Sequence, residues 1–487
     1  MSFDTRDTIV AIATPPGRGG IGVVRLSGPE AHTIVRALIS HEAALQPRHA
    51  TFTRVRLTTF ATASAVKKPD SETDSRAQSA SDVASGFSRT LSAAVDRARG
   101  GCEPEAIDQA IVTYFPAPAS DTGDDVAELS AHGSPVVLRA IVAAAIEHGA
   151  RPAEPGEFTL RAFLNGRIDL MQAEAVADLI DAATPLQARA AFDQLEGTLT
   201  RAIAVIDARL FDLIARLEAS VDFPEESYHF VDPAALAHAL DDLLAQTSGL
   251  LAGARRGRLI REGLQVAIVG SPNVGKSSLF NALLGADRAI VTHLPGTTRD
   301  LVTETLNLEG LQVTLVDTAG LREATDPAEI EGVERSRRVV AVADAIIHVI
   351  DDDNVPEADG RNRLIVRNKS DLSPAPPAVA VAGVVSVSAR TGDGLPELRQ
   401  RLGDVLGADT KRERPDITNV RHVALVERAH AALERARVAS MTEMGAMPEE
   451  FVLADLQDAS AALEEITGRR APDDLLAHIF SRFCIGK

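Results

Sequence analysis

The chain has 487 residues, too many for one hydrophobic core, so two or three domains are expected. Apolar residues make up 45% and charged residues 24%, as in soluble globular proteins, and the net charge of −19 argues against a protein that coats nucleic acid. Two cysteines cannot form a disulfide framework, no stretch is long and apolar enough to span a membrane, and the first residues lack a secretion signal. We therefore expect a cytoplasmic protein.

Residues 1–160 carry the signals of a compact α+β domain. The segment GSPVVLRAIVAAAIEHGA predicts a helix that ends at Gly149. A stretch rich in Ser, Ala and Asp, 61–101, is best explained as a flexible surface insertion. Runs rich in β-branched residues predict four strands, at Ile9–Ile12, Ile21–Leu26, Thr51–Leu57 and Ala110–Phe115.

Helical spacing of apolar residues dominates 161–260 and returns over 408–487. Pro185 and Pro233 mark helix starts or breaks within the first of these segments. Between the two helical segments, residues 261–407 show alternating strand and helix signals. The predicted fold class is therefore multidomain: an α+β N-terminal domain, a discontinuous all-α domain, and an α/β P-loop domain inserted between its two parts.

A P-loop pattern follows the first strand of the inserted segment, GLQVAIVG, and spans Gly270–Ser277. Backbone N–H groups of such a loop surround phosphates at a helix N-terminus. Lys276 would neutralise the β- and γ-phosphates, and the Ser277 hydroxyl would ligate Mg²⁺. The other predicted nucleotide contacts of this segment are Asn273, Val274, Gly275 and Ser278.

A second apolar strand, LQVTLVDTAG, ends in residues suited to Mg²⁺ and the γ-phosphate. Asp317 can hold the ion through a water molecule, and the Gly320 N–H can sense the γ-phosphate. Thr318 and Ala319 lie between them and are also predicted nucleotide contacts. In the preceding segment, AIVTHLPGTTRDLVTE, Thr298 is the natural second hydroxyl for Mg²⁺.

A later strand, LIVRNKSDL, predicts the pocket for the base. It carries Asn368, Lys369 and Asp371, and the carboxylate can accept two hydrogen bonds from the guanine N1–H and 2-amino groups. Adenine offers no such pair, so the predicted nucleotide is GTP. Ser388 and Ala389 would complete the pocket. Each motif alone would fit an ordinary turn at a strand end, whereas all of them in order indicate a GTP site.

The residue after DTAG is Leu321, where Ras-type GTPases have a glutamine that orients water. Hydrolysis is therefore either very slow or assisted by another group. The following acidic residues are candidates, although a solvated start of a helix also explains them: Glu323, Glu329, Glu331 and Glu334. No arginine is singled out by its spacing as an internal finger.

The motifs together resemble the MnmE (TrmE) family of tRNA-modification GTPases. The resemblance rests on DTIVAIATPPGRGGIGVVRLSG, EPGEFTLRAFLNGRIDLMQAEAVADLIDA, GTTRD and the terminal FCIGK, and covers nearly all of the chain except 61–101. It implies GTP hydrolysis helped by potassium in place of an arginine finger, with G domains that pair across a homodimer.

The resemblance also assigns roles within the G domain. Glu329 matches the glutamate that orients the attacking water, and with Lys276 and Thr298 it forms the predicted catalytic set. Mg²⁺ would be bound by Ser277 and Thr298. The matches to the potassium ligands are Asn273, Thr292, Leu294 and Thr297, of which both threonines are also expected to contact GTP.

For the N-terminal domain, the resemblance implies dimerisation and binding of a one-carbon derivative of tetrahydrofolate. The family commonly has Lys where this chain has Arg167. The loop that matches S-[FY]-T-G-E-D reads Ser-Asp-Thr-Gly-Asp-Asp over 120–125, and Cys484 matches the cysteine of C-x-G-K. The matching folate-binding positions are Arg25, Glu128, Arg167 and Lys487.

The implied reaction needs a second protein. An FAD-dependent partner, MnmG, would form a heterotetramer with the homodimer and modify carbon 5 of the wobble uridine in certain tRNAs with an aminomethyl-type group. Two alternatives remain. A ribosome-assembly GTPase would carry a basic RNA-binding module after the G domain, where this chain is acidic and helical, and a hydrolysis-dead scaffold is favoured only by Leu321.

Overall fold

The computed structural model describes residues 6–57, 105–222, 232–287, 302–308, 310–317, 341–351, 362–372, 384–406, 417–441 and 449–486. The predicted insertion at 61–101 lies outside them. The chain divides into two compact units, unit 1 (Met1–Asp169 with Ala471–Lys487) and unit 2 (Leu170–Arg470). None of the described helices is both long and apolar enough to cross a bilayer.

Unit 1 contains a six-stranded sheet in the order β3-β4-β5-β2-β1-β6, in which only β1 and β6 pair in parallel. Its strands are β1 (Ile9–Ile12), β2 (Gly19–Ser27), β3 (Thr51–Leu57), β4 (Glu105–Phe115), β5 (Val126–Gly133) and β6 (Arg151–Pro152). Its helices are α1 (Ala31–Leu38), α2 (Pro135–Glu147), α3 (Glu157–Leu164) and α13 (Asp473–Phe480).

Strand β1 is buried on both faces. Val10 belongs to the core that α1 and α2 share with the sheet, whereas Ile9 and Ala11 pack with Phe158 of α3 on the other side. Helix α3 therefore covers the face of the sheet opposite the main core. The four predicted strands are present, and the helix predicted up to Gly149 ends at Glu147.

The structure places two boundaries differently from the sequence prediction. The helical domain was predicted to begin at residue 161 and to include the C-terminus. Helix α3 instead belongs to unit 1, because Gly166 adopts φ +66° and the chain turns before the next helix begins at Leu170. The C-terminal segment also belongs to unit 1, since the Phe480 ring lies 6.4 Å from Phe163 and 5.4 Å from Phe483.

The helical part of unit 2 packs around an aliphatic core that includes Leu210, Leu240, Leu433 and Leu456. As predicted, Pro185 and Pro233 are the first residues of helices, capped by Thr184 and Asp232. The helices are α4 (Leu170–Asp181), α5 (Pro185–Leu195), α6 (Thr198–Asp222), α7 (Pro233–Leu251), α8 (Ala254–Glu262), α11 (Val420–Ser440) and α12 (Glu449–Thr467).

The inserted part of unit 2 is a six-stranded sheet in the order β12-β11-β10-β7-β9-β8, parallel except for β8. The carboxyl ends of its parallel strands share one edge, which in open α/β sheets is the ligand-binding edge. Its elements are β7 (Leu264–Gly270), α9 (Lys276–Asp287), β8 (Val302–Leu308), β9 (Leu311–Asp317), β10 (Ala345–Ile350), β11 (Arg363–Arg367), β12 (Val384–Ser386) and α10 (Leu395–Leu406).

Candidate nucleotide and folate sites

The P-loop connects β7 to α9 through residues with positive φ angles. Gly270 has φ +146°, Asn273 +65° and Gly275 +93°. The Lys276 side chain is buried and donates hydrogen bonds from Nζ to the carbonyl oxygens of Gly270 (3.0 Å) and Ser271 (2.9 Å). The ammonium group therefore lies across a loop at a helix N-terminus, an arrangement that binds phosphate groups.

The two predicted Mg²⁺-binding residues of the described chain lie in contact. The Ser277 hydroxyl donates to Oδ2 of Asp317 over 2.8 Å, and Asp317 is buried at the end of β9. A hydroxyl and a carboxylate are hard oxygen donors of the kind that Mg²⁺ prefers, so this pair fits the ion.

Asn368 connects the base pocket to the P-loop. Its Nδ2 donates to the carbonyl oxygens of Val274 (3.0 Å) and Gly275 (3.3 Å), and its Oδ1 accepts from the Ala389 N–H (3.1 Å). Asn368 is only 4% exposed, so these bonds are shielded from water. The asparagine thus joins three motifs that are far apart in the sequence.

Asp371 is oriented by the segment after β12. The Ser388 hydroxyl donates to Oδ1 of Asp371 over 2.8 Å, and it accepts from the Thr391 N–H over 3.2 Å. Ser388 is fully buried. The hydroxyl fixes the rotamer of the carboxylate that is expected to recognise guanine.

One residue of this edge was missed from the sequence. Asp351 follows β10, and its Oδ2 lies 2.8 Å from Nζ of Lys369, whose φ of +64° is unusual for lysine. The only available signal was the position of the aspartate directly after a buried strand. The ion pair holds the Lys369 side chain beside the base pocket.

Nine predicted site residues lie outside the described part of the chain, so their roles remain predictions. They are Thr292, Leu294, Thr297, Thr298, Thr318, Ala319, Gly320, Glu329 and Lys487. Ser278 lies in the first turn of α9 and is exposed.

In unit 1, two of the predicted folate-binding residues are partners on neighbouring strands. Arg25 of β2 lies opposite Glu128 of β5, with Nη2 of Arg25 2.6 Å from Oε1 of the glutamate. The guanidinium also lies over the Phe158 ring at 5.8 Å and 3.6 Å from Oδ2 of Asp121. A cation held in this way, half-buried at a sheet surface, can bind a polar or anionic ligand.

The third predicted folate residue, Arg167, is exposed and reaches the same loop as Arg25. A Cβ atom on Gly123 would lie 3.3 Å from Cγ of Arg167, so the loop backbone runs against this side chain. The loop 120–125 thus contacts both arginines. Asp121 stands where the family has an aromatic residue, and it adds a negative charge beside Arg25.

Beneath this loop lies a cluster of buried charges. Arg161 is fully buried, and its guanidinium donates to Oδ1 of Asp7 (2.6 Å) and Oε1 of Glu157 (3.1 Å). Burial by itself would raise the pKa of Glu157, but hydrogen bonds from Arg151 and Arg161 lower it below its usual range. This paired charge anchors α3 against the N-terminal strand.

Comparisons with known proteins agree with a boundary between residues 167 and 170, while the helical-domain match extends over 471–484, which pack with unit 1 in the structure. A family model for the MnmE helical domain matches residues 170–484, and a model for the N-terminus of the GTP-binding protein TrmE matches residues 8–167. The tRNA modification GTPase MnmE of Koribacter versatilis is 42% identical over 502 residues and covers all of both chains. That of Aromatoleum aromaticum is 41% identical and covers 99% of this chain and 98% of its own.

Among solved structures, part of this chain is similar to Era of Aquifex aeolicus, which is 28% identical. That similarity covers 35% of this chain and 66% of the other, with a TM-score of 0.24. The two family models match consecutive parts of the chain, and both relatives align over nearly its whole length. This chain belongs to the MnmE family of tRNA modification GTPases.

Proposed function

We propose that the chain is a potassium-stimulated GTPase that converts GTP to GDP and phosphate and serves a tRNA-modifying complex. The observation that carries the proposal is the common sheet edge. There the P-loop, the Ser277–Asp317 pair and the oriented carboxylate of Asp371 come together. Membership of a family of tRNA modification GTPases supports it.

Each described residue of this edge has a role in the proposed reaction. The Lys276 ammonium would exchange its two carbonyl partners for β- and γ-phosphate oxygens and balance the charge that develops between them. Ser277 and Asp317 would hold Mg²⁺, which supplies further neutralisation of phosphate charge when bound. Asp371 would accept the two guanine hydrogen bonds.

Potassium would supply the positive charge that an arginine finger provides elsewhere. Asn273 is the described member of the predicted potassium set, and its left-handed backbone places it at the exposed turn of the P-loop. An amide oxygen suits a large, weakly hydrated cation. Glu329 would orient the attacking water, and Thr298 would be the second hydroxyl on Mg²⁺.

Unit 1 would bind a one-carbon tetrahydrofolate through Arg25, Glu128, Arg167 and the terminal Lys487. In the cytoplasm, and with an FAD-dependent partner of the MnmG type, the homodimer would modify carbon 5 of the wobble uridine in certain tRNAs. GTP hydrolysis would drive pairing of G domains and a conformational change, and not the carbon chemistry itself. The net charge of −19 is consistent with a protein whose partner makes most of the contacts that bind tRNA.

The test is GTP hydrolysis by the full chain with Mg²⁺, in potassium chloride and in sodium chloride of equal ionic strength. We expect strong stimulation by potassium that is lost in Asn273→Ala and in Glu329→Ala. Asn281→Ala is the matched control, because Asn281 is exposed on α9 beyond the P-loop and should keep the stimulation. Equal slow rates in both salts would instead support the scaffold interpretation.

A further inference from the structure

The loop 120–125 lies between the two arginines predicted to bind folate. Its Asp121 carboxylate is 3.6 Å from Arg25, and its Gly123 backbone runs against the Arg167 side chain. The positions of both cations relative to a shared ligand therefore depend on where this loop is held.

Asn165 holds the loop from the turn that follows α3. Its Nδ2 donates to the carbonyl oxygen of Thr122 (2.8 Å) and to Oδ1 of Asp124 (3.1 Å). A Cβ atom on Gly123 would lie 2.9 Å from Cβ of Asn165, so the loop backbone packs closely against the Asn165 side chain. Asn165 thus fixes three consecutive residues of the loop.

The same turn carries Arg167. The Arg167 N–H donates to the carbonyl oxygen of Ala162 over 2.8 Å, and Gly166 between the two residues has φ +66°. A tight turn with its own hydrogen bond leaves little freedom between Asn165 and Arg167. The hydrogen bonds between Asn165 and the loop therefore also restrict the position of the Arg167 side chain.

Two further contacts support the loop from inside unit 1. Thr122 is 1% exposed, and its hydroxyl lies 2.7 Å from the Ser27 hydroxyl. Nη1 of the buried Arg161 lies 3.9 Å from Oδ2 of Asp124. Burial raises the pKa of Asp124, while the Arg161 charge and the Asn165 amide oppose that rise.

We propose that Asn165, supported by the buried Arg161, is a positioning residue of the folate site, which sets the spacing between Arg25 and Arg167 through the loop 120–125. The inference rests on the proposed binding of a one-carbon folate to unit 1. Asn165 acts on the ligand only through the loop and the Arg167 turn. A ligand with separate polar groups gains affinity when its binding cations are held at the right spacing before it arrives.

The experiment measures binding of 5-formyltetrahydrofolate to the full chain by calorimetry. We expect Asn165→Ala to weaken binding about tenfold, because two hydrogen bonds to the loop are lost. Gln46→Ala is the control in the same unit, since Gln46 is exposed and lies outside the loop, and it should bind like the wild type. GTP hydrolysis in unit 2 reports that each variant is folded there.

A double-mutant cycle separates positioning from general support of the fold. In an Arg167→Ala background, the spacing between the cations no longer matters, so Asn165→Ala should change affinity less than twofold. The same tenfold loss in both backgrounds would overturn the inference, as would wild-type affinity in Asn165→Ala.

If Asn165→Ala fails to fold, Asn165→Asp replaces it, since the aspartate keeps the size but cannot donate to Thr122 and Asp124. Asn165→Asp should also weaken folate binding in the wild-type background and change affinity little in the Arg167→Ala background. An equal loss of affinity in both backgrounds would overturn the inference. If the wild type itself binds no reduced folate while GTP hydrolysis is intact, the folate part of the proposed function fails, and the inference fails with it.

Discussion

The nucleotide edge of unit 2 and the loop region of unit 1 are built in different ways. At the nucleotide edge, the polar residues lie at strand ends or in the segments that follow them, and the parallel sheet gathers the strand ends at one place. In the loop region, the contacts join residues far apart in the chain, such as Ser27 with Thr122 and Thr122 with Asn165. The first arrangement is encoded in contiguous motifs, and the second exists only after folding.

Charge is also handled differently in the two regions. At the nucleotide edge, the Lys276 ammonium is satisfied by backbone carbonyls, which a phosphate can replace. In unit 1, the Arg161 guanidinium is fully buried and paired with Asp7 and Glu157. A buried pair of this kind is costly to break, because the remaining charge loses its partner without regaining water. We therefore expect substitutions at the first site to affect ligand binding and those at the second to affect folding.

Asp371→Asn should have the largest effect, a loss of GTP affinity of about 1,000-fold or more. The amide cannot accept both hydrogen bonds from guanine, and a site that leaves hydrogen-bonding groups unpaired binds the base much more weakly. An amide can instead donate to the 2-carbonyl of xanthine, so affinity for xanthosine triphosphate should rise. Competition binding with both nucleotides measures this change. Asp393→Asn is the control, an exposed aspartate in the neighbouring segment. An unchanged preference for GTP would show that Asp371 does not read the base.

Gly275→Ala should weaken GTP binding about 100-fold. Its Cβ would lie 2.2 Å from Nδ2 of Asn368, and the φ of +93° is strained for alanine. The asparagine must move, and its bonds to the P-loop are lost with it.

Gly285→Ala tests whether the backbone geometry of the P-loop is responsible. Gly285 lies within α9 with no neighbouring atom within 4 Å of an added Cβ, so nucleotide affinity should stay within about twofold and the helix should become slightly more stable. Equilibrium titration with a fluorescent GDP analogue compares the two variants. Equal affinities in both would contradict the role given to Gly275.

Glu157→Gln should destabilise unit 1 by about 2 kcal/mol, or roughly 30-fold in exchange protection, because charge-assisted hydrogen bonds are lost. Glu157 accepts from Nη2 of Arg151 over 2.6 Å and from Arg161. Peptide-resolved hydrogen exchange measures each unit separately. Nucleotide affinity should be unchanged, and Glu105→Gln, on an exposed acid in the same unit, should have little effect.

The stability contributed by Glu157 depends on pH in a defined direction. The pKa of this carboxyl is lower in the folded chain than its ordinary value of 4.5, so the unfolded chain binds more protons as the pH falls. The stabilisation is present above pH 4.5 and is lost as the pH falls through the folded value. The difference between wild type and Glu157→Gln should therefore shrink below pH 4.5. A difference that stays constant down to pH 3 would show that charge is not its cause.

The strands that end at the nucleotide edge could be identified from the sequence because the information for them is local. Gly270, Asp317 and Asn368 each end a recognisable apolar run, so a strand and its terminal residue could be identified together. The roles of Asn165 and Arg161 could not be seen in this way. In the sequence both belong to a run with helical spacing, and only the turn at Gly166 and the burial of α3 against β1 place them beneath the loop.

For the same reason, the sequence could not show which unit the residues at the two ends of the predicted helical domain pack with. Residues 161–164 and 471–487 have helical texture, and periodicity does not reveal which core a helix packs against. The packing of Phe480 with Phe163 assigns the C-terminal segment to unit 1. Asp351 was missed because its partner, Lys369, follows a different strand and becomes a neighbour only in the sheet.

A contact between the helices of unit 2 and its nucleotide-binding sheet allows a smaller test of the comparison. Nε2 of Gln187 in α5 donates to Oε1 of Gln312 (2.8 Å) and to the carbonyl oxygen of Arg261 (3.2 Å). Strand β9 begins beside this contact and ends at Asp317 in the nucleotide site. The strand therefore has one end at the helices and the other at the Ser277–Asp317 pair.

Gln187→Ala should lower exchange protection in α5 and at 310–312 by at least about fivefold, because its side chain makes several hydrogen bonds, each worth about 1 kcal/mol, that alanine cannot make. GTP affinity should change less than twofold, because the P-loop and base pocket keep their own hydrogen bonds. Gln246→Ala, on a half-buried glutamine of α7 whose Nε2 donates to the Asp242 carbonyl of the same helix, is the matched control and should alter neither quantity. A loss of GTP affinity comparable to that of Gly275→Ala would mean that β9 transmits strain from the helices to Asp317. The nucleotide edge would then depend on contacts outside its own motifs as well as on those between them.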